Sequence, residues 1–134
     1  MASPSGGLYS EGRAVGQMSR RTLGTFLLLG VLYACEIGTS IQHYIPWFDC
    51  VEHWLGGCLV AFAFIDKSQE WLIPVNLLTI LAMVTLVGVV WEIGEWPSFT
   101  AGVFGGGCPY QNTMRDLIFD MIGGVTVWLI NTFE

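Results

Sequence analysis

The sequence predicts an all-α membrane protein, a four-transmembrane-helix bundle built from two parallel helical-hairpin repeats. The first observation behind this is compositional. The chain is 53% apolar and 12% charged, where soluble domains run at roughly 45–50% and 25%, and its mean hydropathy is +0.58. The second is a set of four apolar stretches that approach the roughly 20 residues needed to cross a bilayer. The third is internal echo. Asp49-Cys50-Val51-Glu52-His53-Trp54-Leu55-Gly56-Gly57 and Asp116-Leu117-Ile118-Phe119-Asp120-Met121-Ile122-Gly123-Gly124 share the pattern D-x-x-x-[H/D]-x-x-G-G, and Glu-Ile-Gly precedes each, at Glu36–Gly38 and Glu92–Gly94. At 134 residues the chain is one domain, or two small repeats packed as one.

The net charge of −6 comes with no basic stripe, which argues against nucleic-acid binding. Because several acids fall inside apolar runs, the sign reads as a property of a site. Cys35, Cys50, Cys58 and Cys108 have no C-x-x-C spacing, so a zinc ribbon is not expected. Cys35 and Cys58 read as small apolar packing residues, while Cys50 and Cys108 are placed to meet outside the membrane.

Residues 1–21 read as a mobile cytoplasmic tail, without hydrophobic period. The membrane domain is 22–134, with hairpins at about 22–66 and 71–134. Its first helix is expected at about Leu23–Ile41 and the second at about Asp49–Ile65. Arg20-Arg21 and Leu32-Tyr33-Ala34-Cys35 echo a lipoprotein leader, but apolar character continues past Cys35 and Tyr33 fits such a cleavage box poorly. The third helix is expected at about Trp71–Trp91, with Pro74 in its first turn where a missing N–H costs little. Asp66–Glu70 reads as the turn before it, and the stretch from Pro97 to Thr113 as a long apolar loop or lid. The fourth helix is expected at about Arg115–Phe133.

Arg13, Arg20, Arg21 and Lys67 would share one side of a four-span protein, leaving Arg115 on the other. The positive-inside rule then puts both termini in the cytoplasm of a plasma-membrane protein. With that topology Glu36, Asp49, His53, Glu92, Glu95, Asp116 and Asp120 fall at one level, near the extracytoplasmic face, with His43 in the short outer loop. Side chains four apart share a helix face, so Asp49 aligns with His53 and Asp116 with Asp120. Glycines one turn on allow close helix approach. Glu52 points off this stripe and is expected to be solvated.

Acids gathered at bilayer depth must share protons, pair with cations or bind a metal. A divalent metal held by Asp49, His53, Glu92, Asp120 and Glu36 is the expected site, with Glu95 or Asp116 as base. Mixed carboxylate and imidazole donors suit zinc, manganese or iron better than calcium or magnesium. Bland readings stand beside this. Asp49 and Asp116 also suit helix N-termini, Glu36 suits an interhelical hydrogen bond, and paired glycines commonly serve packing alone.

Phe48–His53, Trp91-Glu92-Ile93-Gly94-Glu95, Asn112–Asp116 and Asp120–Gly124 together resemble the YjdF-like inner-membrane proteins, over about residues 48–124. A looser similarity is to VanZ-like membrane proteins. Asn112-Thr113 stands where the YjdF-like pattern has Asp-Thr. The resemblance implies a compact multi-span protein with a shared polar constellation and carries no activity. On the residues, the expected function is a membrane metal site directed at lipid-linked or headgroup substrates as a hydrolase or transferase. The alternatives are a proton- or cation-coupled transporter subunit, and a non-catalytic partner of another membrane protein. No H-E-x-x-H, phosphate loop or Ser/His/Asp order favours a named enzyme class.

Overall fold

Ser19 starts the first helix, α1 (Arg20–Thr39). Its Oγ accepts from the Thr22 N–H at 3.1 Å, satisfying a donor that the helix leaves open. Asp66, near the far end of α2 (Phe48–Trp71), closes the same terminus. Its Oδ2 accepts from the Ser19 N–H at 2.7 Å and from the Thr22 hydroxyl at 2.6 Å, and a negative charge is favourable there. Two further helices follow, α3 (Leu77–Thr100) and α4 (Pro109–Phe133). The computed structural model describes residues 18–39, 41, 44, 45, 47–100 and 109–133. Most of the tail, His43 and Cys108 lie outside them.

Several helix boundaries differ from expectation. α2 continues through Asp66–Glu70 to Trp71, because that polar stretch finds partners as a helix. Asp66 caps α1, and Lys67 pairs with Glu70 one turn on at 3.0 Å. Leu72 then turns left-handed (φ 54°) while the Ile73 N–H returns to the Ser68 carbonyl at 3.1 Å, a Schellman ending normally given to glycine. Pro74 therefore lies in the connection and not in α3. Asn76 starts α3 through a reciprocal box: its Oδ1 accepts from the Thr79 N–H at 3.0 Å, and Thr79 Oγ1 accepts from the Asn76 N–H at 3.1 Å. α3 passes Pro97 to reach Thr100, and α4 opens on Pro109, so helix replaces both ends of the expected loop. Proline at a first helical position is favourable.

Three helical segments are long and apolar enough to cross a membrane: Phe48–Ser68, Leu77–Pro97 and Tyr110–Phe133. The 20-residue α1 is shorter and is not counted among them. Large apolar side chains such as Leu28, Val31, Leu86, Val90, Ile93 and Ile118 point outward, as they do where lipid replaces water. A small core of Cys58, Ala61, Phe64, Ile80, Val84 and Val127 lies inside. In lipid this core acts through close packing rather than through release of water.

The most extensive interface joins α2 and α4. His53 meets Asp120, and further along Cys58 Sγ donates to the Gly123 carbonyl at 3.5 Å, so the two helices run parallel, as the repeat pattern implies. The glycine pairs bring them together. A Cβ on Gly57 would overlap the Asp120 carbonyl, and one on Gly123 would overlap the Trp54 carbonyl and the Cys58 nitrogen. The backbone of α1 approaches α2 alone, with Tyr33 reaching Trp91 of α3 edge-on at 6.4 Å. Cys35 is exposed on α1, against the expectation of a packing role; Cys50 and Cys58 are buried free thiols.

Candidate functional site

The polar residues collect at one end of the bundle, where α2 begins, α3 ends and α4 begins. Asp49 sits in the first turn of α2, with His53 one turn further. α4 supplies Asn112, Arg115, Asp116 and Asp120 over successive turns. Because α4 starts at Pro109, Asp116 lies well inside the helix, and the reading of it as a first-turn acid is corrected. His53, Asp116 and Asp120 are buried, Asp116 completely.

His53 organises the cluster. Its Nδ1 lies 3.3 Å from Asp120 Oδ1. Its Nε2 faces Asp49 Oδ1 at 3.7 Å and Asp116 Oδ2 at 3.9 Å, both beyond hydrogen-bonding distance. Arg115 grips the opposite oxygens: Nη2 pairs with Asp49 Oδ2, and Nε with Asp116 Oδ1 at 3.2 Å. Asn112 accepts from Arg115 Nη2 at 2.8 Å and donates to Asp116 Oδ2 at 2.6 Å. Two carboxylates are thus held from behind by a planar guanidinium, each with its other oxygen toward one imidazole nitrogen. Among the described residues, Asp49, His53 and Asp116 offer ligand atoms that all lie within 4.8 Å of one another.

The remaining expected site residues lie around this centre. Asp120 stands on the other side of the imidazole from Asp49 and Asp116. Glu92, on α3, accepts the Thr113 hydroxyl at 2.7 Å through Oε2, and its Oε1 is buried without a hydrogen-bond partner among the described residues. Glu95 is partly buried beside Trp91. Glu36, near the end of α1, reaches Glu52 of α2. Glu52 is the clearest departure from expectation. It is 9% exposed, with Oε1 unpartnered among the described residues, and not solvated, because α1 packs over that face of α2.

Asn112, Thr113 and Arg115 take larger parts than the sequence reading gave them. Their signal was spacing: Asn112 falls four residues before Asp116, and Thr113 seven before Asp120, on the same face of one helix. An aspartate at position 112 could not donate to Asp116 when ionised. The asparagine therefore gives up a carboxylate and gains a donor that bridges Arg115 to Asp116.

Helices apolar enough to span, with a buried acid–histidine cluster at one end and a half-exposed arginine over it, define a helical integral membrane protein. The chain belongs to a family of predicted membrane proteins, DUF2238, whose model matches residues 16–133. YjdF is a member of the same family, so the resemblance holds at that level. No curated protein and no solved structure matches the chain.

Proposed function

We propose that the protein binds one divalent transition metal at the end of its bundle, through Asp49 Oδ1, His53 Nε2 and Asp116 Oδ2. The observation that carries this is the division of labour around His53. Asp120 occupies one ring nitrogen, as carboxylates do behind metal-bound histidines, and the other nitrogen faces two carboxylate oxygens without hydrogen-bonding either. One nitrogen and two oxygens suit zinc, manganese or iron. They are too few for calcium, which takes about 6–8 oxygens. Arg115 keeps the carboxylates oriented and offsets part of their charge.

Three protein ligands leave positions for water and a substrate oxygen, the arrangement of hydrolytic metal sites. With Asp116 among the ligands, Glu95 is the remaining one of the two expected bases. At the edge of a bilayer the substrate class is a lipid-linked molecule or headgroup, at the outer leaflet if both termini are cytoplasmic. A second reading is supported by the Arg115 pairs: a network already offsetting Asp49 and Asp116 can tie α2 to α4 with no ligand.

Metal analysis of detergent-purified protein separates the two. The metal reading expects about one zinc, manganese or iron per chain, absent from His53→Ala. Asp120→Asn is expected to weaken binding by about 10–100-fold without removing a ligand. Protons compete with the metal for these ligands, so affinity should rise with pH and fall on acidification. A wild-type protein without metal, or metal unchanged in His53→Ala, leaves the structural network as the role.

A further inference from the structure

A groove of about 390 Å³ runs between α3 and α4, lined by Val89, Glu92, Ile93, Trp96, Thr113 and Leu117. Val89, Ile93 and Trp96 are exposed on a spanning helix, and Glu92, Thr113 and Leu117 are half-buried beside them. The groove thus opens toward lipid, and its polar end is the Glu92–Thr113 pair. Thr113 donates its one hydroxyl proton to Glu92 Oε2, while Oε1 is buried and accepts from no described residue. A buried acceptor left open is costly. The last torsion of a glutamate is broad and roughly two-fold, so rotation of the carboxyl can bring either oxygen to the groove. Among the described residues, the cation at this end of the bundle is Arg115, which is committed to Asp49, Asp116 and Asn112.

We infer that this groove binds a membrane lipid bearing a primary ammonium head group, its chain against Val89, Ile93 and Leu117 and its N–H donors on Glu92. The sign of the site selects the head. Among the described residues, Asp49, Asp116, Asp120, Glu92 and Glu95 have Arg115 and His53 as their basic neighbours, so an anionic head is repelled and an ammonium attracted. The number of donors selects further. A quaternary ammonium carries the same charge but no N–H, and cannot satisfy the open oxygen. This goes beyond the metal reading and does not depend on it.

The test is competitive lipid retention. Full-length protein is placed in nanodiscs of equal parts phosphatidylethanolamine, phosphatidylcholine and phosphatidylglycerol, then released for native mass spectrometry. Phosphatidylethanolamine should be retained about tenfold over phosphatidylcholine, the worth of a charged hydrogen bond, with phosphatidylglycerol lowest. Glu92→Gln should bring the first two to parity, and Leu117→Trp, which fills the groove, should lower retention of all three. A photoreactive group on the acyl chain of phosphatidylethanolamine should label the peptides containing Ile93 and Leu117 in the unmutated protein, so the result does not hang on how a variant folds. Equal retention by the wild type, a preference surviving Glu92→Gln, or labelling confined to other helices overturns the inference. The same measurement on His53→Ala keeps the questions apart: loss of metal with the lipid preference intact means that the groove stands alone.

Discussion

At the scale of single residues, Arg115 decides how much of the cluster is stability and how much is site. It pairs with one fully buried carboxylate and one partly buried one while being 39% exposed itself. Removing a partner from a buried pair costs about 3–5 kcal/mol, and exposure reduces that, so Arg115→Gln should destabilise by about 2 kcal/mol. Thermal unfolding in detergent measures it. If a metal binds Asp49 and Asp116, saturating zinc should recover most of the loss; no recovery would make the cluster a salt-bridge network alone. Arg115→Lys should not substitute, because a point charge cannot hold two carboxylates at fixed angles. The residues of the cluster were legible in the sequence, since acids and a histidine inside apolar runs carry their own warning. Which oxygen faces which nitrogen was not, because it depends on an arginine reaching between helices.

At the scale of elements, the crossing of α2 and α4 depends on two glycines meeting backbone. Gly57→Ala and Gly123→Ala each place a methyl group against main-chain atoms that cannot step aside, so each should destabilise by more than about 2 kcal/mol. Gly94 has nothing within 4 Å of an added Cβ, and Gly94→Ala should be neutral or slightly stabilising, since alanine favours a helix. Unfolding by denaturing detergent compares the three; equal effects would mean that the glycines do not set the crossing. Leu72, left-handed at the end of α2, gives the opposite prediction: Leu72→Gly should stabilise by about 1 kcal/mol. The repeated D-x-x-x-[H/D]-x-x-G-G pattern foretold two parallel helices in contact. The boundaries were less legible, because Asp66–Glu70 and Pro97 look like breakers until their partners in space are known.

At the scale of the molecule, the ends of the bundle are chemically distinct. One holds Asp66 on the start of α1, and the other holds the acid–histidine cluster. Four spans put both chain termini on the same side of the membrane, whereas three with α1 lying alongside would separate them. Tags at the two ends, probed with protease in sealed vesicles, should both be accessible from the cytoplasmic side; opposite accessibility would remove α1 from the spans and reverse the orientation of one terminus. Composition and apolar length made the helical membrane class legible, but nothing in the chain's hydropathy could show that the backbone of α1 approaches α2 and no other helix, or that it buries Glu52. All three scales meet in one claim, that His53 turns Nε2 toward Asp49 and Asp116 to hold a metal in place of a proton, while Asp120 pairs with Nδ1. Nitrogen-15 NMR of histidine-labelled protein carrying His43→Gln reads this directly, and zinc is a fair probe because it binds mixed nitrogen and oxygen sites more tightly than manganese or iron. One equivalent of zinc should move Nε2 to a metal-bound shift and leave Nδ1 protonated. Two protonated nitrogens indifferent to zinc would contradict the account.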